Sequence, residues 1–287
     1  MVPKGGLCLM TFIIHQLHRI QHRKMYFILS VTMTILAIVA SLYLGTHQSN
    51  SSVTALTEIG ETSSVSWQLE TFAHQPQSPA VSEAKDRGIA ASVLGSLTMF
   101  LLMQSVLYLF GLAEDRELHY LERIATTPAS FFHYLFSHYL VAFLFIMVPA
   151  LSTLTLLRIL PGINIGLSLV QYAVLLTLII TFGISFSMLI HTLVKGEDTA
   201  NMIGSSLVIL TTLLSGSFGA VQSSHPFLQQ LGGFLPQKSF VDLAIGIEEG
   251  ATLLMMRDEV MGITLLTIVF FAFAAFQLKK TYTFRRD

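Results

Sequence analysis

Long apolar runs alternate with short polar breaks along this chain, and the runs share one length scale. Residues 25–45, 89–112, 131–157, 165–190, 200–218 and 260–278 are almost wholly apolar. About 20 residues at 1.5 Å each carry a helix across a hydrocarbon core of about 30 Å. The pattern therefore predicts an all-α integral membrane protein with six transmembrane helices. Upstream, residues 1–24 place Leu9, Phe12, Ile13, Leu17 and Ile20 at helical spacing and close on Arg19, Arg23 and Lys24. That combination predicts an amphipathic helix lying in the membrane interface. A secretory signal is the rival reading. The apolar run that follows is too long for it and ends without a small-residue cleavage site.

The breaks differ in kind. Residues 46–87 are acidic, rich in Ser and Thr, and hold the single tryptophan, Trp67, which reads as a small extracellular loop. Residues 158–164 turn at Pro161-Gly162. Residues 219–259 form a broken segment before the last span. No Asp, Glu, Lys or Arg lies between Asp198 and Lys238, yet Gly216, Gly219, Pro226, Gly232, Gly233 and Pro236 interrupt the helical pattern. Such a stretch is too long for one span and too broken for two. It predicts a re-entrant outer segment, because irregular backbone at membrane depth has to be covered by protein or line a cavity. Residues 279–287 are a basic tail.

One break carries most of the local charge. Glu114, Asp115, Arg116, Glu117, Glu122 and Arg123 fall within ten positions between the second and third runs. Written as a helix over 113–130, this segment puts Leu118, Leu121 and Ala125 on one apolar face and leaves Glu114, Glu117, Glu122 and Arg123 for polar contacts. Thr127-Pro128 then starts the next helix, with threonine as cap and proline at the first position, where a missing N–H costs nothing.

Composition agrees with the membrane reading. Of 287 residues, 53% are hydrophobic and 11% charged, less than half the usual charged share of soluble chains, and mean hydropathy is +0.67. A net charge of −1 offers nothing to nucleic acid, and one cysteine, Cys8, excludes an internal disulfide framework. With six spans, eleven of the sixteen Lys and Arg residues share the side of the two termini. The positive-inside rule then puts the termini and the 114–130 segment in the cytoplasm of a plasma-membrane protein. No acidic or basic residue falls inside a span as bounded above, which argues against a proton- or sodium-coupled carrier. His133 and His138 are five apart and share no helix face, so they read as packing residues rather than a catalytic pair. Gln104, Gln171 and Asn201 read as groups that join helices. The chain lacks the glycine-rich nucleotide loop GxxxxGK[ST]. Any driving energy has to arrive from outside, and the charged break is the inlet.

Residues 114–130 resemble the signature of the ABC-2 type exporter permeases, which runs roughly E-x-[KR]-E-x-G-T-L-E-x-L-x-x-T-P-x-S. Glu114, Arg116, Glu117, Leu121, Glu122, Thr127, Pro128 and Ser130 match in register. Ile124 replaces a leucine, and His119-Tyr120 stand where the family has Gly-Thr. The interfacial helix, six spans and broken outer segment are also family features, so the resemblance extends over most of the chain outside 46–87. It implies that 113–130 is a coupling helix docking in a groove of a separate ATP-binding subunit. Glu114, Arg116, Glu117, Leu118, Leu121, Glu122, Arg123, Thr127 and Pro128 would form the contact. ATP and magnesium would sit on that partner, with no cofactor in this chain. A second permease, identical or related, would complete the pathway for a drug, peptide toxin or lipid-linked molecule. A membrane sensor or toxin-immunity protein without transport is the alternative, and it predicts no ATPase partner.

Overall fold

The computed structural model describes residues 89–120, 131–159, 166–217 and 232–283, with isolated positions at 10, 13–14, 18, 28, 31–36, 39 and 230. The loop at 46–87 lies outside the described residues, as do Leu121, Glu122, Arg123, Thr127 and Pro128. The described residues form helices joined by turns, with no strand among them. Four helices are long and apolar enough to cross a membrane: Ala90–Glu117, Phe131–Ile159, Leu169–Leu193 and Arg257–Lys280. This is a multi-pass, all-α membrane protein.

The first of these is built from α1 (Ile89–Tyr108) and α2 (Phe110–Glu117), which meet at Leu109. It is followed by α3 (Phe131–Ile159), α4 (Leu169–Leu193), α5 (Glu197–Leu214), α6 (Pro236–Glu248) and α7 (Arg257–Thr283). Of the expected first span only scattered residues are described. One of them, Thr34, accepts a hydrogen bond from Gln104 Nε2 at 3.0 Å and so ties that region to α1. At 18 residues, α5 is about 27 Å long.

Helices α1 and α4 form the centre, and α3 and α7 pack on α4 from outside. In lipid the apolar surroundings give helices little reason to associate, so close van der Waals packing has to hold them. Gly183 of α4 shows how close: a Cβ there would lie 2.6 Å from Ser105 Oγ of α1. Hydroxyls on these buried faces are spent locally. Thr98 donates to Leu94 O at 2.8 Å and Ser105 to Leu101 O at 2.8 Å, so the apolar interior holds few unmet polar groups.

Two of the helix starts have a local cause. Ser168 caps α4, with its Oγ accepting from Gln171 N at 3.3 Å while Gln171 Oε1 accepts from Ser168 N at 2.8 Å. Gln171 is thus the reciprocal half of a capping box rather than a group joining two helices. Pro236 opens α6 at the first helical position. That helix lies on α1 and α4, with Phe240 fully buried edge-on to Phe182 at 5.9 Å. The ends of α2 and α4 and the start of α5 gather at one end of the bundle. At the opposite end Gly166, just ahead of α4, lies against Ala90 and Glu248.

Candidate functional site: the charged end of the second span

The helix that begins at Ile89 does not stop where its apolar run stops. It continues through Glu114, Asp115, Arg116 and Glu117, and Leu118 caps it by donating its N–H to Glu114 O at 2.9 Å. His119 then takes φ 56°, the left-handed conformation that commonly ends a helix. Glycine is the default residue there because it has no Cβ to clash, and histidine is among the residues that tolerate it. His119 occupies the signature's glycine position and adopts the conformation glycine favours, so the helix written over 113–130 stops at Glu117 rather than running on unbroken.

Three consecutive charged side chains at this helix end bond to their own chain, with Asp115 buried, Arg116 half-buried and Glu117 exposed. Asp115 is only 4% exposed. Its Oδ2 accepts the Tyr134 hydroxyl at 2.7 Å and lies 3.2 Å from His138 Nε2. Tyr134 and His138 are four apart on α3, with rings edge-on at 4.7 Å, so one helix face presents both to the carboxylate. A buried carboxylate is costly unless its oxygens are hydrogen-bonded, and here Tyr134 donates to it and His138 lies within hydrogen-bond distance. Arg116 Nη1 donates to His191 O and, at 3.1 Å, to Thr192 O. These carbonyls belong to the last turn of α4, where a helix leaves its final C=O groups without intrahelical partners and carries partial negative charge. Glu117 Oε1 accepts from Glu197 N at 3.1 Å, the first N–H of α5, where the helix dipole favours a carboxylate. The segment is therefore bonded to α3, α4 and α5 at once.

Beyond Glu117 the surface opens outward. Leu118 is 51% exposed and Tyr120 37% exposed, both large apolar side chains beside a charged helix end. Of the residues expected to face a partner, Arg116 and Glu117 are engaged within the chain, Glu114 is half-buried, and Leu118 is presented. Leu121, Glu122, Arg123, Thr127 and Pro128 are outside the described residues.

Hydropathy misses the Asp115 cluster because it ends the span at 112 and assigns the charges after it to a partner. The available signal is the four-residue spacing of Tyr134 and His138; His133, paired with His138 in the sequence reading, is half-buried and on another face. His191 is another buried polar residue at this end. Its Nδ1 meets Ser187 O at 2.9 Å, and its Nε2 is buried without a hydrogen-bond partner among the described residues. A family model described as ABC-2 family transporter protein matches residues 23–276 of the chain. No curated protein matches it.

Proposed function

The chain belongs to the ABC-2 family of transporter proteins, and from that premise we propose that it is the permease subunit of an ATP-binding cassette exporter. On this reading it has six spans, with the interfacial helix before the first and a re-entrant segment before the last. Both termini lie on the cytoplasmic side of the plasma membrane. ATP and magnesium are held by a separate subunit, and a second permease, identical or related, completes the pathway. The cargo is amphipathic, of the drug, peptide-toxin or lipid-linked kind, which suits a chain with 21 phenylalanines and 12 methionines.

One observation carries the coupling part of this reading. The end of α2 is bonded to three other helices through Asp115, Arg116 and Glu117, while Leu118 and Tyr120 next to it are exposed. A push on the exposed part would reach α3, α4 and α5 through short hydrogen bonds rather than through a slack loop. In this reading Arg116 and Glu117 transmit the push, and Leu118, with Glu114, Leu121, Glu122, Arg123, Thr127 and Pro128, receives it from the ATP-binding subunit.

The test is the double substitution Glu117→Ala with Glu122→Ala in the native complex. Transport and transport-coupled ATP hydrolysis should both fall at least about tenfold, a loss of about 1.4 kcal/mol in coupling. The amount of chain inserted in the membrane should not change. Wild-type coupling in that variant would overturn the assignment of this segment. Affinity purification of the native complex is the companion experiment, and it should return an ATP-binding subunit.

A further inference from the structure

Helix α5 is hydrogen-bonded near both ends to other helices, and between them Gly204 packs closely on Val106 of α1. At its start Glu197 N donates to Glu117. Near its far end, about 21 Å along the axis, Thr211 Oγ1 accepts a hydrogen bond from Gln237 Nε2 of α6 at 2.7 Å. The direction of that bond follows from chemistry. The Thr211 hydroxyl proton is already given to Leu207 O at 2.7 Å, so the amide has to donate. Gln237 is 4% exposed, and its Oε1 is buried without a partner. The amide end of the bond is buried and only half satisfied, while Thr211 at the other end is half-buried.

Among the described residues, helix α6 packs broadly on α1 but touches α5 little beyond this bond. Helix α5 in turn rests on the bundle by the narrow stripe Ala200, Gly204, Val208 and Thr212. Both its ends run into glycines in the left-handed region, Gly196 at φ 91° and Gly216 at φ 67°. Those are positions where backbone direction changes at least cost. The geometry is that of a stiff rod pinned near a swivel at each end.

We propose that Gln237 and Thr211 form a latch holding the far end of α5 against α6, and that its release is a step of the transport cycle. The transport part rests on the permease reading above; the latch itself does not. Gln237 is a positioning residue. While the bond holds, α5 stays seated on α1. When the charged segment moves, the Glu117 contact pulls the near end of α5, and at the far end the Thr211–Gln237 bond gives way while the turn at Ser217 stays packed on Gly95 of α1.

Accessibility of a buried position under α5 tests this without a known cargo. In full-length protein in native membranes, carrying Cys8→Ser, the reporter is Thr212→Cys and the control is Thr98→Cys, both at positions 0% exposed. The measurement is the rate of N-ethylmaleimide labelling. Gln237→Leu and Thr211→Val should each speed labelling at 212 about fivefold, the equivalent of one hydrogen bond's net worth of about 1 kcal/mol. Combined they should do no more than either alone. Thr211→Ser, which keeps the accepting hydroxyl, should label at the wild-type rate. Unchanged labelling, an equal rise at 98, or an effect of the pair equal to the product of the singles would overturn the latch. In the native complex, ATP with vanadate should speed labelling at 212 and add little to Gln237→Leu; no response to ATP would overturn the release step. Failure to recover any ATP-binding subunit would instead count against the permease reading, with the labelling in membranes still deciding the latch.

Discussion

His119 is held in a backbone conformation its side chain does not favour. A residue with a Cβ in the left-handed region costs about 1 kcal/mol or more, and the cost is met because the turn lets the helix ending at Glu117 stop with its charges in place. The expected order of stability at this site is therefore glycine, then asparagine, then valine. His119→Gly should be neutral or stabilising by up to about 1 kcal/mol, and His119→Val should cost at least that much. Thermal midpoints of detergent-solubilised protein, followed by gel filtration after heating, would measure it; equal midpoints for glycine and valine would mean the turn is not kept. Asp115 is the second residue whose role is physical and local. Tyr134→Phe removes one hydrogen bond to a buried carboxylate and should cost about 1.5–3 kcal/mol. Asp115→Ala deletes the charge that Tyr134 and His138 share. A double-mutant cycle with Tyr134→Phe should therefore show coupling of about 1 kcal/mol or more. Additive losses would mean the two groups act separately.

At the scale of elements, close approach rather than hydropathy decides which helices meet. A Cβ on Gly95 of α1 would lie 2.2 Å from Ser217 O, a backbone atom in the turn after α5. Gly95→Ala should therefore displace that turn and destabilise the protein by about 1–3 kcal/mol, and loss of monodisperse protein on mild heating would report it. Gly183→Ala, which meets the Ser105 side chain instead, should be partly rescued by Ser105→Ala. The start of α4 offers a milder case. Ser168→Ala removes one half of its capping box and should cost about 1 kcal/mol. Glycines and a capping serine are visible in any reading of the chain, but which carbonyl or hydroxyl lies opposite each is a property of the pairing of helices distant in sequence.

For the whole molecule, the proposed function makes the charged end of α2 the place where a partner's motion enters the bundle. Its inward bonds reach three helices, and its outward face carries Leu118. Leu118→Asp should weaken recovery of the ATP-binding subunit about tenfold or more, because an apolar contact would be replaced by a charge with no partner. Membrane insertion should be unaffected. If Leu118→Asp complexes assemble normally, the docking surface lies further along the segment.

Long apolar runs determine by themselves that the chain is a helical membrane protein, because crossing about 30 Å of hydrocarbon requires about 20 apolar residues whatever their partners. The charged break is legible for the same reason, being local in sequence. Tertiary structure alone decided what each charge does. Asp115, Arg116 and Glu117 are neighbours along the chain, yet successive helical positions point about 100° apart. They consequently meet three different helices, at Tyr134, Thr192 and Glu197. Nor does any local pattern contain the link between Thr211 and Gln237, 26 residues apart. It exists because α5 and α6 are both seated on α1.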